Sequence, residues 1–354
     1  MKVALIGLPQ SGKSAVFAAI TAARADPYAP PEPRHAVVSV PDDRLEYLTD
    51  LCHPKKVVHA MIEFVDVPGC SLDDAKGQAE WRRMLPQVRQ ADLLAVVVRD
   101  FDSAAVPAYR DRVDPAADFA AVWDELIFAD LDTVTTRLER LDKALKKPSK
   151  THDAEKREQA LLHGCRDALE TSAPLAGVIT TDEHRRALAS FAFLTQRPIV
   201  CVRNVAEDRA ADTPPLRLDH VSDSIALCAS MEAEIAMLEP DDRAMFLADL
   251  GVNQPARDRL IQACYRAGGL VSFLTMGADE VRAWTIHTGD TAVDAAAKIH
   301  TDLARGFIRA ETVSYDDLVA HQDLKGARTA GKVRKEGKTY VVADGDILNI
   351  LAST

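Results

Sequence analysis

Residues 7 to 14 read Gly-Leu-Pro-Gln-Ser-Gly-Lys-Ser and follow directly on the apolar run Val3-Ala4-Leu5-Ile6. No other feature of the chain limits its fold as tightly. G-x-x-x-x-G-K-S has meaning only where a buried strand turns into a helix. Gly7 and Gly12 let the backbone curl, so that N–H groups along Leu8, Pro9, Gln10 and Ser11 surround an anion, proline itself adding only shape. Lys13 brings a cation to β- and γ-phosphates, and Ser14 a hydroxyl to Mg²⁺. The helix entered through Ala15 aims its positive N-terminal end at the same place.

A chain of 354 residues has room for two or three domains. With 47% hydrophobic and 27% charged residues it has an ordinary globular composition. A net charge of −11 excludes a surface that binds nucleic acid everywhere; such a site must be a local patch. The six cysteines are scattered, without a C-x-x-C pair, which points to free thiols in a reducing compartment. No apolar run approaches bilayer length, and the strand starting at residue 2 leaves no room for a signal peptide. A cytoplasmic location without membrane contact is expected; oligomeric state is left open.

Strand and helix signals alternate over residues 1–115, with strands at Lys2–Ile6, Ala36–Val40, Met61–Val65 and Leu93–Val98 and helices at Lys13–Ala23 and Glu80–Arg89. That alternation predicts an α/β fold with a doubly wound sheet. Residues 25–35, rich in proline, read as an extended loop. From Asp114-Pro115 an apolar stripe through Phe119, Val122, Leu126, Val134, Leu138 and Leu141 predicts a long helix. A second amphipathic stretch over 154–169 suggests an antiparallel helical hairpin with its tip at 146–152. Thr180-Thr181-Asp182-Glu183 reads as a capping box. The apolar strand Pro198–Val202 resumes the sheet, so the hairpin region, 116–195, is an insertion between 1–115 and 196–268. Residues 269–354 read as a small α+β domain, with strands at Val271–Leu274, Arg282–Ile286 and Thr339–Val342 and one helix at Val293–Arg305.

Two further motifs extend the phosphate site. Phe64-Val65-Asp66-Val67-Pro68-Gly69 fits D-x-x-G after a strand, with Asp66 toward Mg²⁺ and the Gly69 N–H toward a γ-phosphate. Asn204-Val205-Ala206-Glu207 follows a strand where GTPases carry N-K-x-D; Val205 replaces the Lys and Glu207 the Asp, which weakens guanine recognition. Cys228-Ala229-Ser230-Met231 follows the strand Ile225–Leu227, where a small-residue loop would cover the base. Lys13, Ser14, Asp66 and Gly69 are the candidate catalytic set. These motifs, in this order with the C-terminal stretches VRAWTIHTGD, IHTDLARGFIRAE and AGKVRKEGKTYVVADGD, resemble the YchF/Obg-like ATPase family over nearly the whole chain. The resemblance implies a GTPase-like domain with a coiled-coil insertion and a C-terminal TGS domain of β-grasp type. It also implies binding of ATP as well as, or in preference to, GTP, and association with ribosomes, translation and stress responses. Mg²⁺ is the expected cofactor, with K⁺ a second candidate.

The chain departs from the family where hydrolysis is concerned. The first switch loop, expected to hold a Thr, reads Ala29-Pro30-Pro31-Glu32. Cys70 stands where many GTPases keep a water-positioning Gln, as expected for a family with an apolar residue there. The His that the family offers instead aligns with Ala108; His35 reads as a solvated loop residue. Loss of a water-positioning group costs on the order of 10²-fold or more. The expectation is slow intrinsic hydrolysis, the alternatives being a nucleotide-binding regulatory module with negligible turnover or an RNA adaptor with a vestigial loop. Finally, Lys325, Arg328, Lys332, Arg334, Lys335 and Lys338 face one acid, Glu336, within residues 325–338. They form a candidate RNA or ribosome footprint, with only Tyr340 nearby for stacking.

Overall fold

A computed structural model of the protein describes residues 1–22, 32–146, 151–210, 212–249, 252 and 254–353. In chain order the elements are β1 (Lys2–Ile6), α1 (Lys13–Thr21), β2 (Arg34–Ser39), α2 (Asp43–Cys52), β3 (Lys56–Val58), β4 (Met61–Asp66), α3 (Ala75–Val88), β5 (Leu93–Asp100), α4 (Pro115–Ala144), α5 (His152–Glu170), α6 (Asp182–Leu188), β6 (Ile199–Val205), β7 (Asp223–Leu227), α7 (Ala229–Met237), α8 (Pro240–Asp249) and α9 (Ala256–Ala267). They continue with β8 (Leu270–Thr275), β9 (Glu280–His287), α10 (Ala292–Ile299), α11 (Thr301–Arg305), β10 (Phe307–Ser314), α12 (Tyr315–Ala320), α13 (Leu324–Thr329), β11 (Arg334–Glu336) and β12 (Asp346–Ala352). The chain divides into two units, Met1–Ala36 with Glu63–Cys264, and Val37–Ile62 with Tyr265–Thr354.

The first sheet has the order β2-β4-β1-β5-β6-β7. β1 runs parallel to β4 and β5, and β5, β6 and β7 continue in parallel. All eight residues of β5 are buried, as a central parallel strand covered on both faces requires. The core runs without interruption from Ile6, Val96 and Cys201 of this sheet into Leu138, Leu141 and Leu162 of the α4–α5 hairpin. α4 begins where the sequence says it should: the Asp114 carboxylate accepts from Ala117 N at 3.0 Å, and Pro115 occupies the first turn. The hairpin tip around residues 147–150 lies outside the described residues. α6 keeps half of its expected box. Thr181 Oγ1 accepts from His184 N at 3.1 Å, but the third helical residue is His184, so Glu183 returns no bond.

The second unit holds a sheet of order β11-β10-β12-β8-β9-β3. β8–β9, β10–β12 and β10–β11 are antiparallel; β12–β8 and β3–β9 are parallel. Phe273, Ile286, Ala292, Ala295, Ala296, Phe307 and Leu348 form its core. The segment 37–62, counted from sequence within the first 115 residues, belongs to this unit, where β3 adds a strand at the sheet edge through Lys56–Glu280, Val57–Val281 and Val58–Arg282. Two expectations are corrected. Thr339–Val342 is not a strand: Val341 makes one bridge, to Thr291, and the ladder uses β10, β11 and β12 instead. The helix expected over 293–305 is two, because His300 is extended at φ −162°, and its Nδ1 caps α11 by accepting from Asp302 N at 3.2 Å.

Candidate nucleotide site

The loop between β1 and α1 is shaped by backbone that side chains would obstruct. Gly12 has φ +91°, and a Cβ there would run into Asn204 Nδ2; a Cβ on Gly7 would meet the carbonyl of Val97. Gln10 between them is also left-handed, at φ 60°. Its carbonyl accepts from Arg99 Nη1 at 3.4 Å. Arg99 is 2% exposed and also donates to the carbonyls of Phe101, Val106 and Pro107, its guanidinium 4.3 Å from the Phe101 ring centroid. It ties the phosphate loop to the segment after β5, a role that sequence reading missed because its partners are all backbone atoms.

Lys13 opens α1 and is 6% exposed. Its Nζ donates to Gly7 O at 2.9 Å and Leu8 O at 2.8 Å. Burial pulls its pKa down to about 8, against the opposing charge of Asp66. The ammonium therefore lies among carbonyl dipoles in the floor of the loop. Leu8 and Val205 turn their side chains into the core, while Ser11 Oγ is buried and without a partner among the described residues. Pro9, Gln10 and Ala15 are at least partly accessible. Ser14 is exposed, and its Oγ donates to Asp66 Oδ2 at 3.2 Å. Asp66 ends β4, nearly buried; its Oδ1 has no hydrogen-bond partner among the described residues and its Oδ2 also takes an ion pair from Arg34. Gly69 approaches the loop so closely that a Cβ would lie 2.6 Å from Lys13 Nζ. Cys70 is buried, and burial raises its thiol pKa. The structure thus brings Lys13, Ser14, Asp66 and Gly69 together.

Asn204, 4% exposed near the end of β6, uses both ends of its amide. Nδ2 donates to Ser11 O at 3.1 Å and Oδ1 accepts from Ala229 N at 3.0 Å. Glu207, exposed, starts the short turn Glu207–Arg209. The small-residue loop expected at 228–231 is instead the first turn of α7: Cys228 is its N-cap, with its Sγ 3.2 Å from Ser230 Oγ. Glu207, Cys228 and Met231 line a cavity of about 230 Å³ together with Leu247, Ala256 and Arg259. Ala108 precedes the turn Tyr109–Asp111, and residues 29–31 of the first switch loop lie outside the described residues. His35 is not free, since its Nδ1 lies 2.8 Å from Glu63 Oε1.

In the second unit the six basic residues of 325–338 are all exposed. Three are partly neutralised: Arg328 by Glu311 at 3.2 Å, Lys332 by Asp317 at 3.0 Å, and Arg334 by Glu336 at 3.4 Å and Asp346 at 3.5 Å. Lys325, Lys335 and Lys338 make no ion pair among the described residues.

The family described as "50S ribosome-binding GTPase" matches residues 2–147, and the YchF GTPase C-terminal family, described as a protein of unknown function, matches 270–353. The chain is 40% identical to "Ribosome-binding ATPase YchF" of Bacillus subtilis, covering 98% of this chain and 97% of that protein. It is 37% identical to the protein of the same name from Escherichia coli O157:H7, covering 99% and 98%. Its fold is similar to that of the Schizosaccharomyces pombe YchF GTPase, with TM-score 0.82 and 29% identity over 99% of this chain and 97% of the other. The chain belongs to the YchF family.

Proposed function

We propose that the chain is a purine-nucleotide-binding P-loop NTPase whose nucleotide state is coupled to ribosome binding. The observation that carries this reading is Lys13, a buried ammonium whose hydrogen-bond partners are two loop carbonyls. Polyphosphate arriving in the cradle would supply the anion it lacks. Relatives similar over almost the full chain carry the name ribosome-binding ATPase, and the basic cluster at 325–338 is a suitable phosphate-backbone contact.

Mg²⁺ suits the donor set. Ser14 Oγ and Asp66 are hard oxygen donors, and Asp66 Oδ1 is buried with nothing to accept from among the described residues. Among the described residues no group of three His, Cys, Asp or Glu could hold a metal, which suits a cation held mainly by phosphates and water. When bound, Mg²⁺ would neutralise charge on the transferred phosphoryl group. The chain's own part is to bind and orient: Lys13 against the phosphates, Gly69 N–H toward the terminal one, Asn204 fixing the loop. Cys70 and Ala108 offer little to orient water, and hydrolysis is slow as a result.

No described helix is long and apolar enough to cross a membrane. Calorimetry with ATP and with GTP, each with Mg²⁺, is the primary test. Binding of at least one nucleotide, abolished by Lys13→Ala, is expected; no binding of either overturns the reading. Co-sedimentation with ribosomes that does not change between nucleotide-free and nucleotide-loaded protein would remove the coupling.

A further inference from the structure

Arg34 is a member of the site that no motif names. It is the first residue of β2, and its guanidinium forms an ion pair with Asp66 Oδ2, the same oxygen that accepts from Ser14. The Arg34 side chain is 29% exposed and that of Asp66 6%. The guanidinium carbon lies 5.1 Å from the Phe17 ring centroid, so the aromatic face of α1 helps to fix its direction. Lys13 does not pair with Asp66 in this arrangement; its Nζ donates to Gly7 O and Leu8 O instead.

The location decides the consequence. Ser14 and Asp66 are the residues that would hold Mg²⁺, which would supply positive charge beside the phosphates, and Arg34 already places a positive charge against Asp66. A nearly buried carboxylate without a counter-ion is strongly unfavourable and would also repel incoming phosphate. Arg34 removes both costs in the metal-free chain, and its partial exposure gives the side chain a route into solvent.

We propose that Arg34 is a built-in counter-ion for the metal position: it neutralises Asp66 in the metal-free site and competes with Mg²⁺ for that carboxylate. It thereby sets the Mg²⁺ concentration at which nucleotide is held tightly. This inference rests on the nucleotide-binding reading above.

The test is binding of fluorescent ATP and GTP analogues to the full chain, titrated with Mg²⁺ and repeated in EDTA, for wild type, Arg34→Ala, Arg34→Gln and Arg34→Lys. Removing a charge-assisted contact of this kind is expected to lower the half-saturating Mg²⁺ by about tenfold or more in Arg34→Ala and Arg34→Gln. The same variants should bind the analogue more weakly than wild type in EDTA, where Asp66 is left bare. The opposite signs matter, because a residue that only stabilised the fold would weaken binding in both conditions. Arg34→Lys should lie nearer to wild type in both. A half-saturating Mg²⁺ that does not fall, or equal behaviour of Arg34→Lys and Arg34→Ala, overturns the proposal while leaving nucleotide binding intact. A wild type that binds neither analogue at any Mg²⁺ concentration overturns both.

Discussion

Both ends of the Asn204 amide are held by protein, one by the phosphate loop and one by the first turn of α7. Leaving a buried backbone donor and acceptor unpaired costs about 1–3 kcal/mol each. Asn204→Ala is therefore expected to lower the melting temperature of the nucleotide-free chain and to weaken nucleotide by at least about tenfold, read by thermal melting and calorimetry. Gly69→Ala should act differently. Its Cβ would press on Lys13 Nζ at 2.6 Å and on the Pro9 backbone at 3.2 Å, so nucleotide affinity should drop by a larger factor than the stability of the nucleotide-free chain, read by calorimetry and thermal melting. The thiols give a pH dependence. Burial raises Cys165 to about 11 and Cys201 to about 12, from an unfolded value near 9. Protons retained by the folded thiols contribute stability that is complete below about pH 9 and is lost as pH rises toward those values. Urea melts at pH 8 and pH 10.5 should show that loss, reduced in Cys201→Ala relative to wild type. The sequence motifs identify Lys13, Ser14 and Asp66 because their spacing along the chain is itself the geometry. Arg34 escapes such reading: its meaning depends on a carboxylate 32 residues away.

Elements were legible where local signals agree with the core. β1, β5 and α4 follow from apolar runs, an Asp-Pro start and an unbroken period. α2 and β3 leave no comparable trace, since β3 is three residues long and finds its ladder only in β9. The break at His300 is hidden for the opposite reason: the apolar spacing of Val293, Ile299 and Leu303 continues through it, and only the backbone turn separates α10 from α11. The α4–α5 hairpin shares its core with the sheet, so damage there should not stay local. Leu162 is 0% exposed, and Leu162→Ala is expected to cost about 2–5 kcal/mol in one cooperative transition, measured by denaturant melts followed by both circular dichroism and tryptophan fluorescence. Two separated transitions would show the hairpin to be an independent folding element.

At the scale of the whole molecule, a chain of net charge −11 carries an exposed basic stretch at 325–338, and its neighbours blunt half of it. The unpaired half should dominate any contact with ribosomal phosphates. Replacing Lys325, Lys335 and Lys338 together by Ala is expected to weaken ribosome co-sedimentation and to flatten its log–log salt dependence by about 2–3. The same change at Arg328 and Lys332 should do less, because their carboxylate partners must first be released. The threading of the chain has a consequence of another kind. Lys55 Nζ bonds to Asp279 across 224 residues of sequence, and beside it β3 pairs with β9. At about 5–20 residues per second of synthesis, this strand leaves the ribosome roughly 10–45 s before its partner exists. Throughout that interval the newborn chain carries an open β edge, so the second unit can close only after β8 to β12 have been made.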